Sequence, residues 1–222
     1  MKYIISERQY KLLTEDEEPK ILRIPNLDIF GGWYELKQYL KSKGNPLFSV
    51  KGDLDLRFSD ITSLDNLVSV GGNLNLVKSK IKSLDNLKSV GGDLILWGTA
   101  IKSLNNLVSV GGNLNLGRVP IKSLDNLKSV EGDVNLEGTP IKSLDNLKSV
   151  GGDLILWGTA IKSLNNLVSV GGNLDLGRAP IESLDNLKSV GGSFNIKNTP
   201  LSKKTDEKTL KSQIEVGGTI KL

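Results

Sequence analysis

Between about residues 50 and 200 the apolar positions recur with a fixed beat. In residues 81–100 they are Ile81, Leu84, Leu87, Val90, Leu94 and Leu96, and the series restarts at Ile101. The Leu94-x-Leu96 step alternates and predicts a short strand with both leucines turned inward. The spacing of three from Ile81 to Val90 suits a tight, extended or 3₁₀-like return path better than an α-helix. Gly91-Gly92 falls where the chain turns into the strand, and glycine's access to positive φ predicts a sharp corner there.

The beat is a true repeat. Ser-Leu-Asx-Asn-Leu begins at Ser63, Ser83, Ser103, Ser123, Ser143, Ser163 and Ser183, a period of 20 residues without insertion. Residues 81–120 recur at 141–180, with Asn115 answered by Asp175 and Val119 by Ala179 as the only differences. Such regularity predicts a solenoid, in which a coil buries its apolar face only against its neighbours. A single coil buries too little to offset the ordering of its backbone, so the stack is the folding unit. Stacking would align Asn66, Asn86, Asn106, Asn126, Asn146, Asn166 and Asn186 in one column. That column is expected to be structural, its amides satisfying one another and a buried turn.

The ends depart from the repeat. Residues 1–50 read as a helical N-terminal cap. It has a helix from Ser6 to about Thr14 and a second over Trp33–Lys43, where Trp33, Leu36, Tyr39 and Leu40 have helical spacing. Tyr3, Tyr10, Phe30, Trp33, Tyr34 and Tyr39 are expected to form its core. Residues 51–200 form the solenoid. Residues 201–222 form a second cap, with a helix over Thr205–Ile214 covering the last sheet edge and a closing strand over 216–222. All three parts are read as one folded unit.

The run Leu94-x-Leu96-x-x-Thr99-x-Ile101-x-x-Leu104-x-x-Leu107-x-x-Val110 resembles the short bacterial leucine-rich repeat. The resemblance covers residues 50–200 and implies a right-handed, mainly β solenoid with one parallel sheet and 20 residues per coil. It also implies that variable strand-face residues contact partners. Thr99 stands at the family's asparagine position, in a column reading Ser59, Ser79, Thr99, Val119, Thr139, Thr159, Ala179 and Thr199. The family's buried asparagine ladder is therefore absent, and the Asn66–Asn186 column is a candidate to compensate. The layout, with IISERQYKLL near the start and VGGTIKL at the close, is similar to uncharacterised repeat proteins of tailed bacteriophages and aquatic bacteria.

Composition narrows the chemistry. The 222 residues include neither cysteine nor histidine. That removes disulfides, thiolate nucleophiles and metal sites, imidazole bases and the Ser-His-Asp triad. No apolar stretch is long enough for a membrane span, and Glu7 and Arg8 interrupt any secretory core, so a cytoplasmic protein is expected. The net charge of +4 is too weak to imply nucleic acid. Lys82, Lys102, Lys122, Lys142 and Lys162 form one basic column, and Lys88, Lys128, Lys148 and Lys188 another; both read as solvated faces. The column Asp53, Asn73, Asp93, Asn113, Asp133, Asp153, Asn173 and Ser193 dilutes its own repulsion and reads as structural. Its coils lack the clustered oxygens of a calcium loop. Repeated carboxylates such as Asp133 and Asp153 also lack the differentiated surroundings of an acid–base pair.

Two columns on the strand side carry the interaction signal. One reads Asp55, Asn75, Ile95, Asn115, Asn135, Ile155, Asp175 and Asn195; the other reads Arg57, Val77, Trp97, Gly117, Glu137, Trp157, Gly177 and Lys197. Ile95-x-Trp97 and Ile155-x-Trp157 break an otherwise polar face. Three coils separate the tryptophans, about 14 Å at strand spacing, which suits an extended ligand or a protein surface. Stacking would bring Arg118, Arg178 and Glu137 near them from adjacent coils. The expected activity is non-enzymatic protein binding through this face, with no cofactor or metal. Block duplication of a harmless Ile-Trp pair is the competing explanation. The alternative function is a structural or adhesive component, phage-associated, that binds surface glycans or self-associates.

Overall fold

The computed structural model describes residues 21–222. The expected Ser6–Thr14 helix, with Tyr3 and Tyr10, lies outside the described residues. The rest of the chain is a mainly β solenoid of 20-residue coils carrying two helices, α1 (Trp33–Ser42) and α2 (Glu207–Gln213).

The solenoid has two parallel sheets where the resemblance implied one. The expected strand is present in every coil, as Leu54–Asp55, Leu74–Asn75, Leu94–Ile95 and onward to Ile220–Lys221, and builds a nine-stranded sheet. The return path adds a ten-stranded sheet running from Leu22–Ile24 and Phe48–Val50 through Ser89–Val90 and its equivalents to Glu215–Val216. The constant period explains the second sheet. Without insertions, every extended side of a coil lies in register on the one below, as in Ser89↔Ser109 and Val90↔Val110, so its backbone groups find partners. Where the apolar spacing is three, around Ile81, Leu84 and Leu87, only isolated bridges form, at Ser63↔Ser83 and Ser163↔Ser183. There the chain turns locally instead, with Leu87 N–H donating to Leu84 O at 3.0 Å.

The glycine pairs serve a different purpose from the one expected. None of the Gly-Gly corners of the coils has a positive φ. A Cβ on Gly91 would lie 2.1 Å from Gly71 O, and one on Gly111 2.2 Å from Gly91 O. Backbone stacks directly on backbone at this corner, and only hydrogen fits between. Glu131 is the one interior exception. Its N–H reaches Val110 O at 3.1 Å, against 2.7–3.0 Å at Gly71, Gly91, Gly111, Gly151, Gly171 and Gly191.

The core is continuous from Ile24 to Ile214, with the six apolar residues of the interior coils buried. The threonine column is buried within it, and each hydroxyl bonds inside its own coil: Thr99 Oγ1 donates to Leu96 O at 2.7 Å and Thr139 Oγ1 to Leu136 O at 2.8 Å. That local solution leaves nothing for a distant ladder to compensate. The asparagine column is accordingly partly or fully exposed, not buried. Its amides donate mainly to a carbonyl of the preceding coil, Asn86 to Asp65 O at 3.0 Å and Asn186 to Asn165 O at 2.8 Å.

Both caps close the core. In α1, Trp33, Leu36 and Leu40 are buried, with the Trp33 and Phe48 rings 6.3 Å apart. Phe30 and Tyr39 pack at 5.0 Å, but Tyr34, expected inside, is 69 % exposed because it falls on the outer face of the helix. At the other end Asp206 caps α2 by accepting from Thr209 N–H at 2.7 Å, and Leu210 and Ile214 are buried. The tail then crosses both sheets, at Glu215–Val216 and Ile220–Lys221. α2 thus covers the end of the core and leaves those last strand edges unpaired among the described residues.

Candidate functional site

The candidate face lies where each strand of the nine-stranded sheet ends in a turn. The second residue of that turn is left-handed in all eight coils: Phe58, Lys78, Gly98, Arg118, Gly138, Gly158, Arg178 and Asn198 have φ between 52° and 76°. Glycine and asparagine suit this conformation, whereas other side chains are held there against a cost of about 1–2 kcal/mol. Phe58, Lys78, Arg118 and Arg178 are therefore exceptions that the backbone does not favour.

The turn has its own stabilising device. In six coils an Asx side chain two residues upstream accepts the N–H of the first turn residue. Asn135 Oδ1 takes Glu137 N–H at 2.9 Å and Asp175 Oδ1 takes Gly177 N–H at 2.9 Å. Asn75, Asn115, Asn195 and Asp55 do the same at 3.1–3.2 Å. At Asp55 the Arg57 guanidinium also hydrogen-bonds the carboxylate, 2.9 Å from Nε, and holds it below the ordinary carboxyl range. Ile95 and Ile155 cannot accept, so the Trp97 and Trp157 N–H groups have no such partner among the described residues. The two coils that carry tryptophan are the two that give the device up.

The tryptophans themselves face outward. Trp97 is 41 % exposed and Trp157 is half-buried, each beside a half-buried isoleucine. Their settings differ although their coils are identical in sequence. Lys78 of the preceding coil places its ammonium 4.9 Å from the Trp97 ring centroid and 6.0 Å from that of Phe58. Trp157 has Gly138 at the position equivalent to Lys78 and engages the following coil instead. There the Arg178 guanidinium lies 4.9 Å over its ring, and a Cβ on Gly177 would meet Trp157 Cδ1 at 2.9 Å. Arg118, the counterpart of Arg178, turns to Glu137 at 3.4 Å.

The structure thus brings Trp157 to Arg178 and Arg118 to Glu137, but leaves the two tryptophans three coils apart. Phe58 and Lys78 join the face without having been singled out in the sequence. The signal for them was the column Gly98, Gly138, Gly158 and Asn198, a sequence of left-handed residues into which aromatic and basic residues intrude.

Other polar columns are committed to the fold. Asp53, Asn73, Asp93, Asn113, Asp133, Asp153 and Asn173 each accept the backbone N–H of the next coil through Oδ1, at 2.6–2.8 Å. Asp133 and Asp153 are consecutive rungs of this ladder. Lys82, Lys102, Lys122, Lys142 and Lys162 are exposed, without a carboxylate within 4.0 Å among the described residues. No described helix is long and apolar enough to cross a membrane. No protein-family model matches the chain, and a comparison with curated proteins finds no similar one.

Proposed function

We propose that the chain is a protein-binding solenoid whose docking surface is the turn edge of the nine-stranded sheet, centred on Trp97 and Trp157 with Ile95 and Ile155. One observation supports this reading above the rest. At both tryptophan coils a stabilising Asx acceptor is replaced by isoleucine, and a large aromatic side chain is held at the surface. Aromatic anchors beside arginine are the groups that dominate binding energy at protein interfaces. Tryptophan brings large contact area at small entropic cost. The resemblance to leucine-rich repeats, whose strand faces contact partners, points the same way.

Selection from a displayed random-peptide library tests the proposal. The wild-type chain should enrich a peptide consensus that Trp97→Ala/Trp157→Ala does not. A consensus shared equally by both proteins would remove the tryptophans from the binding surface. A second reading, recognition of glycans by a structural or adhesive protein, draws on the exposure of Phe58 and Trp97, whose rings could serve as platforms for sugar faces. It predicts retention on a glycan array that the same double variant loses.

A further inference from the structure

Resting on that protein-binding reading, we infer that the partner segment at this edge is an extended acidic peptide with carboxylates at a defined spacing. Read coil by coil over its two turn positions, the edge intersperses aromatic and charged groups: Arg57 and Phe58, Lys78, Trp97, Arg118, then Glu137, Trp157, Arg178 and Lys197. The three cations at the left-handed position occupy sites where the fold itself is served by glycine, as Gly98, Gly138 and Gly158 show. Lys78 and Arg178 lie against aromatic rings, and their charges find little acidic compensation within the chain. Lys78 and Arg178 have no carboxylate within 4.0 Å among the described residues, and the Arg118–Glu137 pair is long and solvent-exposed. An exposed pair of that kind contributes little and yields readily to a competing carboxylate.

The acidic groups on the same edge are fewer and mostly engaged. Asp55 is held by Arg57 at 2.7 Å, and Asp175 accepts from Gly177 N–H and from Asn195 Nδ2 at 2.8 Å. Glu137 faces Arg118. What remains open to a partner is positive charge set between aromatic surfaces, which is complementary to carboxylates flanked by apolar side chains.

The coil spacing sets the partner's spacing. Lys78 and Arg118 are two coils apart, about 10 Å, and Arg118 and Arg178 three coils, about 14 Å, at the usual strand separation. An extended peptide advances about 3.3 Å per residue with its side chains alternating between two faces, so carboxylates turned toward the edge fall an even number of residues apart, about four at each step, with the long Lys78 side chain taking up the difference at the first. Apolar residues between them would meet Trp97 and Trp157.

The test uses a fluorescein-labelled glutamate/leucine peptide of about twelve residues with that spacing. Controls are the same peptide with glutamine for glutamate, one with its glutamates contiguous, and a fifteen-nucleotide oligo(dT). Each is titrated by fluorescence anisotropy into the wild-type chain, Lys78→Gly/Arg178→Gly and Trp97→Ala/Trp157→Ala. Glycine suits the left-handed backbone, so the first variant removes charge without disturbing the turn. The spaced acidic peptide should bind about tenfold or more tighter than either control peptide, and lose about that factor in Lys78→Gly/Arg178→Gly. Equal binding of the glutamine peptide, abolished by the tryptophan variant, would overturn the acidic inference while leaving the protein-binding reading standing. Tighter binding of oligo(dT) would overturn both. Absence of measurable peptide binding would overturn the inference.

Discussion

Arg178 lies over the indole of Trp157, its guanidinium carbon 4.9 Å from the ring centroid, whereas its duplicate Arg118 leaves Trp97 for Glu137 at 3.4 Å. The two blocks differ internally only at Asn115/Asp175 and Val119/Ala179, so the cause lies in the flanking coils: Lys78 already occupies the Trp97 ring where Trp157 has Gly138, and the following coils differ as well. The position that holds Glu137 after Arg118 holds Lys197 after Arg178, which repels a guanidinium instead of attracting it.

Exchanging that neighbour should therefore exchange the rotamers. Lys197→Glu is expected to draw Arg178 off Trp157 and increase quenching of tryptophan fluorescence by acrylamide. Glu137→Lys should return Arg118 to Trp97 and decrease it. Quenching insensitive to both changes would contradict this electrostatic account.

Restoring the turn acceptor should stabilise the fold. Ile155→Asn provides the Trp157 N–H with the partner that Asn135 gives Glu137. A gain of about 0.5–1 kcal/mol in chemical denaturation is expected although an apolar residue has been replaced by a polar one. A loss would show that the half-buried isoleucine contributes more to the fold than the hydrogen bond does.

The two kinds of glycine should respond differently to alanine. At Gly91 the new Cβ would meet backbone at 2.1 Å, which cannot move without its coil, and a cost of about 1–3 kcal/mol or more is expected. At Gly158 the φ of 64° is the only obstacle, nothing lying within 4 Å, and the cost should be about 1 kcal/mol. Equal destabilisation would contradict the assignment of close approach to one and backbone conformation to the other.

These positions also show how far sequence reading reaches. The period of 20, the inward leucines, α1 and α2 were all legible, because burial patterns are local and repeated. The second sheet was not, since Lys88-Ser89-Val90 has no strand signature of its own and pairs only because neighbouring coils present the same backbone in register. Gly91-Gly92 was legible as a corner, but the reason for glycine was a contact with the coil below, which no single coil encodes. Trp97 and Trp157 stood out as apolar intrusions on a polar face. Lys78 and Phe58 carried only the fainter signal of intruding into the column of Gly98, Gly138, Gly158 and Asn198, whose meaning becomes plain once its left-handed φ is known.

The cap of α2 carries a pH dependence. Thr209 N–H, donating to Asp206, holds that carboxyl below its ordinary value. A carboxylate with a lowered folded-state pKa stabilises above its unfolded pKa, and the contribution is lost as pH falls through the folded value. The Thr209 amide should therefore lose protection from hydrogen exchange on acidification below the normal carboxyl range. In Asp206→Asn, whose side-chain oxygen still caps, that acid transition should disappear.

The central claim is that Trp97 and Trp157 are surface anchors kept for a partner and not for the fold. The most direct measurement is affinity for a library-selected peptide, taken alongside thermal unfolding, for the wild-type chain and Trp97→Ala/Trp157→Ala. Binding should fall by about a hundredfold or more, as expected when two aromatic anchors are lost, with the unfolding midpoint nearly unchanged. Retained affinity, or a midpoint that drops as steeply as the binding does, would contradict the account.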